Sequence, residues 1–227
     1  MVESKLRLVT DEVHGITMSF LDGLNSWTVS EVFEELRNNP YGIDYVELNE
    51  NDVLIDVGAN IGMFSIYAHM KFGCKIIAFE PIKENVENFR RNVLINQLNP
   101  EKFEIYQLAV SSEDNQKIKL GKFEHNSGGS SEFFNYVNNY EICNTVRLDR
   151  FLSDKCKFLK MDCEGSEYEV IPSILDKLDI FEFIGIEYHI VNNKTPHELH
   201  EIIKKNFKGK LYPNEIGRLV EIKSYFF

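Results

Sequence analysis

The sequence predicts an α/β fold built on a doubly wound, mostly parallel sheet. Three observations carry this. From residue 52 to residue 207, short apolar runs alternate with segments of helical period, the pattern of βαβ units. The first run, 53–57, leads into the turn Gly58-Ala-Asn-Ile-Gly62 and then a helix. Acids close four of the runs, at Asp56, Glu80, Asp162 and Glu187, and ligands on such sheets bind at the carboxyl ends of strands.

Residues 1–50 show no repeat or linker and read as an N-terminal cap on the substrate side of a domain spanning 51–227. Within that cap a helix ends near Arg37, with Val32, Phe33 and Leu36 on one face, Ser30 as candidate cap and 38–42 as the stop. Strand 53–57 is followed by helix 63–72, strand 75–80 and helix 83–96. A third strand is expected over 103–110. Residues 111–145 read as one strand near 117–120 and then a polar loop containing Ser127-Gly-Gly-Ser-Ser131; a loop of that length is often a lid or binding loop. A fourth strand is expected over 158–162, then a helical face from Val170 to Leu178 broken at Pro172. A fifth strand covers 183–187. Thr195-Pro-His-Glu198 is a capping box with proline at the first helical position, opening a helix to about residue 207. Segments 210–212 and 218–224 read as an antiparallel pair.

Bulk properties narrow the function classes. The chain has 227 residues, 43% apolar and 27% charged, with a formal net charge of −11. Binding to duplex nucleic acid relies on Lys and Arg neutralising phosphates, so a duplex partner is not expected. No run of 18 apolar residues is present, so no membrane span is expected. Cys74, Cys143, Cys156 and Cys163 show no metal-binding spacing. With no signal-peptide layout at the N-terminus, they read as reduced thiols of a cytoplasmic protein, Cys163 being a small packing residue.

The glycine turn is the first candidate site. Gly58 permits a tight turn and a close backbone approach; Gly62 lets helix and strand pack. Glu80 comes after Gly58 by the interval at which an acid reaches a ribose hydroxyl pair. The spacing is not Gly-x-Gly-x-x-Gly, and Asp56 beside the turn would repel an anionic pyrophosphate. A donor carrying ammonium and sulfonium charges, S-adenosylmethionine, tolerates that acid. Asp56 is expected to support the site more than to ligate.

Together Asp56-Val-Gly-Ala-Asn-Ile-Gly62, Phe79-Glu-Pro81, Ala109-Val110, Ser127–Ser131, Leu148-Asp149, Lys160-Met-Asp-Cys-Glu-Gly-Ser-Glu167 and Glu187-Tyr-His189 resemble the FkbM family of S-adenosylmethionine-dependent methyltransferases, over roughly 40–190. The resemblance implies a seven-stranded class I (Rossmann-like) methyltransferase fold. It implies a donor site made of Asp56, Gly58, Ala59, Asn60, Gly62, Phe64, Ser65, Glu80, Pro81, Ala109, Val110 and Asp162. In it the glycine turn would hold the methionine part, Glu80 the ribose and Ala109-Val110 the adenine edge. It further implies O-methylation of a small-molecule or glycan hydroxyl.

In-line methyl transfer needs alignment of oxygen, methyl and sulfur, and removal of the hydroxyl proton. Candidate catalytic residues are Asp162, Glu187, His189, Lys160 and Glu164. His189 has the most suitable unperturbed pKa for a base. Lys160 either lowers the pKa of a bound hydroxyl or neutralises Asp162 and Glu164. Glu167 reads equally as a helix N-terminal charge. A divalent metal, Mg²⁺ or Mn²⁺, is an alternative: Asp162, Glu164, Glu187 and His189 lie around two neighbouring strand ends, with Asp162, Glu187 and His189 the first candidates to ligate it. A nicotinamide-dependent oxidoreductase and a non-catalytic nucleoside-binding module are the competing readings.

Overall fold

The computed structural model describes residues 6–23, 28–39, 41–121, 140–191 and 194–213. Strands β1 (Leu6–Val13) and β2 (Ile16–Gly23) form an antiparallel hairpin, which the reading of 1–50 did not anticipate. Helix α1 (Thr28–Arg37) begins before Ser30, so Ser30 lies inside the helix and does not cap it. Next come β3 (Val53–Val57), α2 (Met63–Phe72), β4 (Lys75–Phe79), α3 (Lys83–Ile95) and β5 (Phe103–Tyr106). The expected third strand over 103–110 is in fact two. Its second half, β6 (Ala109–Ser111), leaves the main sheet and joins β7 (Lys117–Gly121) and β8 (Tyr140–Arg147) in the order β6-β8-β7. β8 falls in the stretch read as loop. Ser127–Ser131 lie outside the described residues.

The chain continues through β9 (Cys156–Met161), α4 (Glu167–Ser173), β10 (Phe183–Ile186), α5 (Pro196–Asn206) and β11 (Lys210–Tyr212). The central sheet runs β11-β10-β9-β3-β4-β5, and every pairing in it is parallel. Six strands of it are therefore among the described residues. β11 pairs parallel with β10; its expected antiparallel partner, 218–224, lies outside them. The order reverses at β3, with β4 on one side and β9 on the other, which opens a crevice above these strand ends.

Sequence chemistry explains the elements. Every residue of β3 is buried, as a strand covered on both faces requires. α2 buries Met63 to Ala68 without a polar face, the habit of a helix enclosed by protein. It is enclosed because the N-terminal hairpin lies across the helices on that side. Val13, Met18 and Phe20 share one core with α1, α2, α3 and the sheet. Asn92 of α3 accepts the Leu21 N–H at 2.9 Å, and Asn96 accepts the Ser19 N–H at 2.9 Å and donates to the Ser19 carbonyl at 2.7 Å. These amides meet the edge groups of β2 that no strand pairs. α5 carries the full Thr195–Glu198 capping box. α4 is short, and its last turns pass through Pro172 into a 3-10 segment, Leu175–Ile180. No described helix is long and apolar enough to cross a membrane, and all four cysteines are free.

Candidate functional site

The site forms where β3, β4, β9 and β10 end. Gly58 adopts φ 78, and a Cβ there would stand 1.7 Å from the Asp162 carbonyl oxygen. The close approach that requires glycine is thus to the end of β9, not only to a ligand. Gly62, at φ 85, leaves room for the Phe89 ring of α3, which a Cβ would meet at 2.1 Å. Between them Asn60 is left-handed at φ 50, and its N–H donates to Glu80 Oε2 at 2.9 Å. Glu80 Oε1 accepts from the Ile82 N–H at 2.9 Å and the Asn85 amide at 3.2 Å. A carboxylate has about four acceptor positions; among the described residues three are met by protein donors, and a ribose hydroxyl suits the fourth. Burial pushes Glu80 up to about 7 despite these donors.

Asp56 is fully buried. Its Oδ2 accepts the Ser65 hydroxyl at 2.7 Å. Its Oδ1 has no aligned hydrogen-bond donor; the Lys160 ammonium, 3.1 Å away, meets its charge. Asp56 and Ser65 therefore sit beneath the turn and brace it. Lys160 also donates to the Gly58 carbonyl at 2.7 Å and stands 3.7 Å from Asp162 Oδ2. Burial opposes its charge, but Asp56 and Asp162 outweigh that and hold it above the usual lysine range. The expected partner Asp162 is there; the expected partner Glu164 is replaced by Asp56. A lysine held this firmly as a cation ties the turn to two strands and does not exchange protons.

Asp162 is oriented by a residue that sequence reasoning missed. Tyr41 Oη donates to Asp162 Oδ2 at 2.7 Å and to Glu187 Oε2 at 3.3 Å. Burial first, then the charges of Asp162 and Glu187, raise the phenol well above its usual range, so it remains a donor. Its placement is built into the sheet. A Cβ on Gly185 would stand 2.3 Å from the Tyr41 carbonyl, and one on Gly42 would strike Phe183 and Tyr212 at 2.7 Å. Those glycines were the available signal. A cavity of about 60 Å³ lies between α1 and the turn, lined by Glu35, Tyr41, Asn60, Phe64, Lys160 and Asp162. It holds a few atoms only, well below the ~300 Å³ or more of a cofactor pocket. Ala59 lines it as well.

The remaining candidates divide. Glu164 and His189 join Asp162, with His189 Nε2 3.5 Å from Glu164 Oε2, 3.7 Å from Asp162 Oδ1 and 3.9 Å from Glu187 Oε1. The fully buried Glu167 accepts both the His189 backbone N–H and its Nδ1, each at 2.9 Å, as well as the Gly165 N–H. Glu167 is thus a positioning residue, and its helix-end role is secondary. Burial alone would lower the His189 pKa, but Glu167, Glu164 and Asp162 lift it to about 10. As these side chains stand His189 is an imidazolium at neutral pH, which corrects the expectation of a neutral base. Burial, then Asp162 and Glu187, bring Glu164 to about 7, against the lowering effect of His189. Cys163 donates to Glu167 Oε2 at 3.4 Å, and burial with that charge raises its thiol well above the usual range; it is inert. Ala109 and Val110 sit on β6 and are buried, Ala109 in a small cluster with Ile82, Leu120 and Cys143, and Val110 in the larger core that also holds Val57 and Phe79. Pro81 is half-buried.

The profile described as the methyltransferase FkbM domain matches residues 56–209. The chain belongs to the FkbM methyltransferase family. Methyltransferase 1 of Beauveria bassiana (strain ARSEF 2860) is 24% identical over 170 residues, covering 63% of this chain and 67% of that protein. The 31-O-demethyl-FK506 methyltransferase FkbM of Streptomyces tacrolimicus is 46% identical over 50 residues, 22% of this chain and 19% of that protein. Among solved structures, the precorrin-6y C5,15-methyltransferase of Geobacter metallireducens GS-15 aligns with a TM-score of 0.45 at 14% identity, over 76% of this chain and 70% of that one. Tyr41 precedes the matched segment, so this FkbM chain completes its acid cluster from outside the family domain.

Proposed function

We propose that the chain transfers a methyl group from S-adenosylmethionine to a hydroxyl of a small polyhydroxylated molecule or glycan, with residues 1–50 forming the substrate-side wall of the site. The observation that carries this is the pairing of two half-sites across one strand junction. On one side, the Gly58–Gly62 turn and the fourth acceptor position of Glu80 suit a nucleoside donor. On the other, Asp162 and Glu187 share the Tyr41 hydroxyl and stand partly exposed, with side chains 26% and 29% accessible.

Carboxylates held this way accept hydrogen bonds from an incoming hydroxyl and take its proton. Positioning contributes about 7–11 kcal/mol to such a reaction and a general base roughly 10²–10⁴-fold in rate. With Lys160 committed to Asp56 and the His189 ring held by Glu167, Asp162 is the residue best placed for that proton, and Tyr41 orients it. The excess of acid disfavours phosphorylated or otherwise anionic acceptors.

The test is transfer of label from methyl-tritiated S-adenosylmethionine to a panel of sugars, glycosides and hydroxylated metabolites. Alkali-stable ether products that vanish with Asp162→Asn support the reading. Label appearing only on amines or carboxylates would overturn it.

A further inference from the structure

We propose that Asp162 Oδ1, Glu164 Oε2 and His189 Nε2 form a binding site for a divalent cation of the Mn²⁺ or Mg²⁺ type. The three atoms lie within 4.8 Å of one another. His189 is only 7% exposed, and Glu167 fixes its Nδ1, which aims Nε2 into the cluster. Yet Nε2 hydrogen-bonds to none of the acids: its distances of 3.5, 3.7 and 3.9 Å to Glu164, Asp162 and Glu187 exceed a good N–H···O bond. Ligand atoms about 2.1 Å from one shared ion stand roughly 3–4 Å apart, and His189 Nε2 stands 3.5 and 3.7 Å from the Glu164 and Asp162 oxygens.

The supporting shell has the form seen around metal-binding histidines. Such a ring donates its far N–H to a carboxylate, which fixes orientation and raises basicity. Glu167, fully buried and taking both the ring and backbone N–H of His189, has that geometry. Asp162 is divided between two tasks, since Tyr41 and Lys160 face Oδ2 while Oδ1 turns to His189. Glu187 is the more distant acid, and Tyr41 contacts its other oxygen. The third ligand is therefore Glu164 rather than Glu187. Two carboxylates and one imidazole form a mostly hard donor set suited to Mn²⁺ and Mg²⁺. Three protein ligands leave further positions for water or acceptor oxygens on a six-coordinate ion. In that last respect the inference rests on the methyl-transfer reading; the site itself does not.

The experiment is a Mn²⁺ titration of the purified full chain, without methyl donor, followed by loss of the free-ion electron paramagnetic resonance signal. The expected result is saturable binding of about one Mn²⁺ per chain, displaced by excess Mg²⁺. Glu164→Gln and His189→Ala should each weaken it at least tenfold, and Glu167→Gln by about 10–100-fold. His197→Ala, at an exposed histidine, should leave it unchanged. Melting curves on each variant separate lost binding from lost folding, and the near-isosteric Glu164→Gln is the decisive one. No saturable binding by the wild type, or equal binding by folded Glu164→Gln, would overturn the site. S-adenosylmethionine binding measured in parallel with a chelator present tests the donor reading separately, so one can fail without the other.

Discussion

Replacing Lys160 by methionine tests whether that residue is a structural tie or a participant in chemistry. Methionine fills most of the volume but leaves the Asp56 carboxylate, fully buried, with the Ser65 hydroxyl as its one hydrogen-bond donor among the described residues. Removing one partner of a buried ion pair typically costs about 3–5 kcal/mol. The Gly58 carbonyl also loses a 2.7 Å bond from a charged donor, the class worth about 1.5–3 kcal/mol. The two losses share one ammonium and do not add in full, so a drop of about 4 kcal/mol is expected, a large part of a domain's 5–15 kcal/mol. The assay is urea unfolding, reading the midpoint at constant slope. Because much of the cost is the stranded charge, adding Asp56→Asn should recover about 2 kcal/mol or more in a double-mutant cycle. If Lys160→Met costs less than about 1 kcal/mol yet abolishes methyl transfer, the tie is wrong and Lys160 acts on substrate.

The same geometry sets three further outcomes. Glu80 has a folded pKa of about 7 against 4.5 for an ordinary glutamate, so its contribution to stability is complete below about pH 4.5 and is lost as pH rises through 7. Glu80→Gln should accordingly gain on the wild type between pH 5 and pH 8, by up to about 3 kcal/mol; a pH-independent difference in unfolding midpoints refutes this. Gly58 and Gly73 share a left-handed φ, 78 and 71, but a Cβ on Gly73 meets only Glu50 at 3.8 Å. Gly73→Ala should cost the conformational penalty alone, about 1–2 kcal/mol, and Gly58→Ala distinctly more, with loss of donor binding. Equal unfolding midpoints for the two would mean that the approach to Asp162 relaxes freely. With an acceptor in hand, Tyr41→Phe should lower kcat/KM about 10- to 100-fold, the equivalent of about 1.5–3 kcal/mol of charge-assisted hydrogen bonding; an unchanged value removes Tyr41 from the site.

Much of the central sheet was legible because its strands are buried on both faces. β3 and β4 are nearly unbroken apolar runs, β9 is apolar but for Lys157 and Lys160, and the glycine turn after β3 marks the passage into α2. The hairpin β1–β2 was not legible, since β1 exposes Leu8 and Thr10 to Glu12 and carries little alternation. The apolar run over 103–110 hides a change of sheet: Tyr106 pairs with Phe79, while Ala109 pairs with Thr145. Side-chain roles were the least legible. Tyr41 meets Asp162 across 121 positions, and no local pattern encodes that contact. The charge of His189 depends on Glu167, 22 positions earlier, and on acids from the end of β9. Lys160 was singled out by its motif, but only the fold shows that Asp56 is the acid beneath it.

The central claim, a sulfonium methyl donor at the Gly58 turn, is tested most directly by equilibrium binding of S-adenosylmethionine and NADH to the purified chain by calorimetry. Saturable binding of about one S-adenosylmethionine per chain is expected, abolished by Gly58→Ala, with no binding of NADH. Saturable NADH binding without S-adenosylmethionine binding would contradict it.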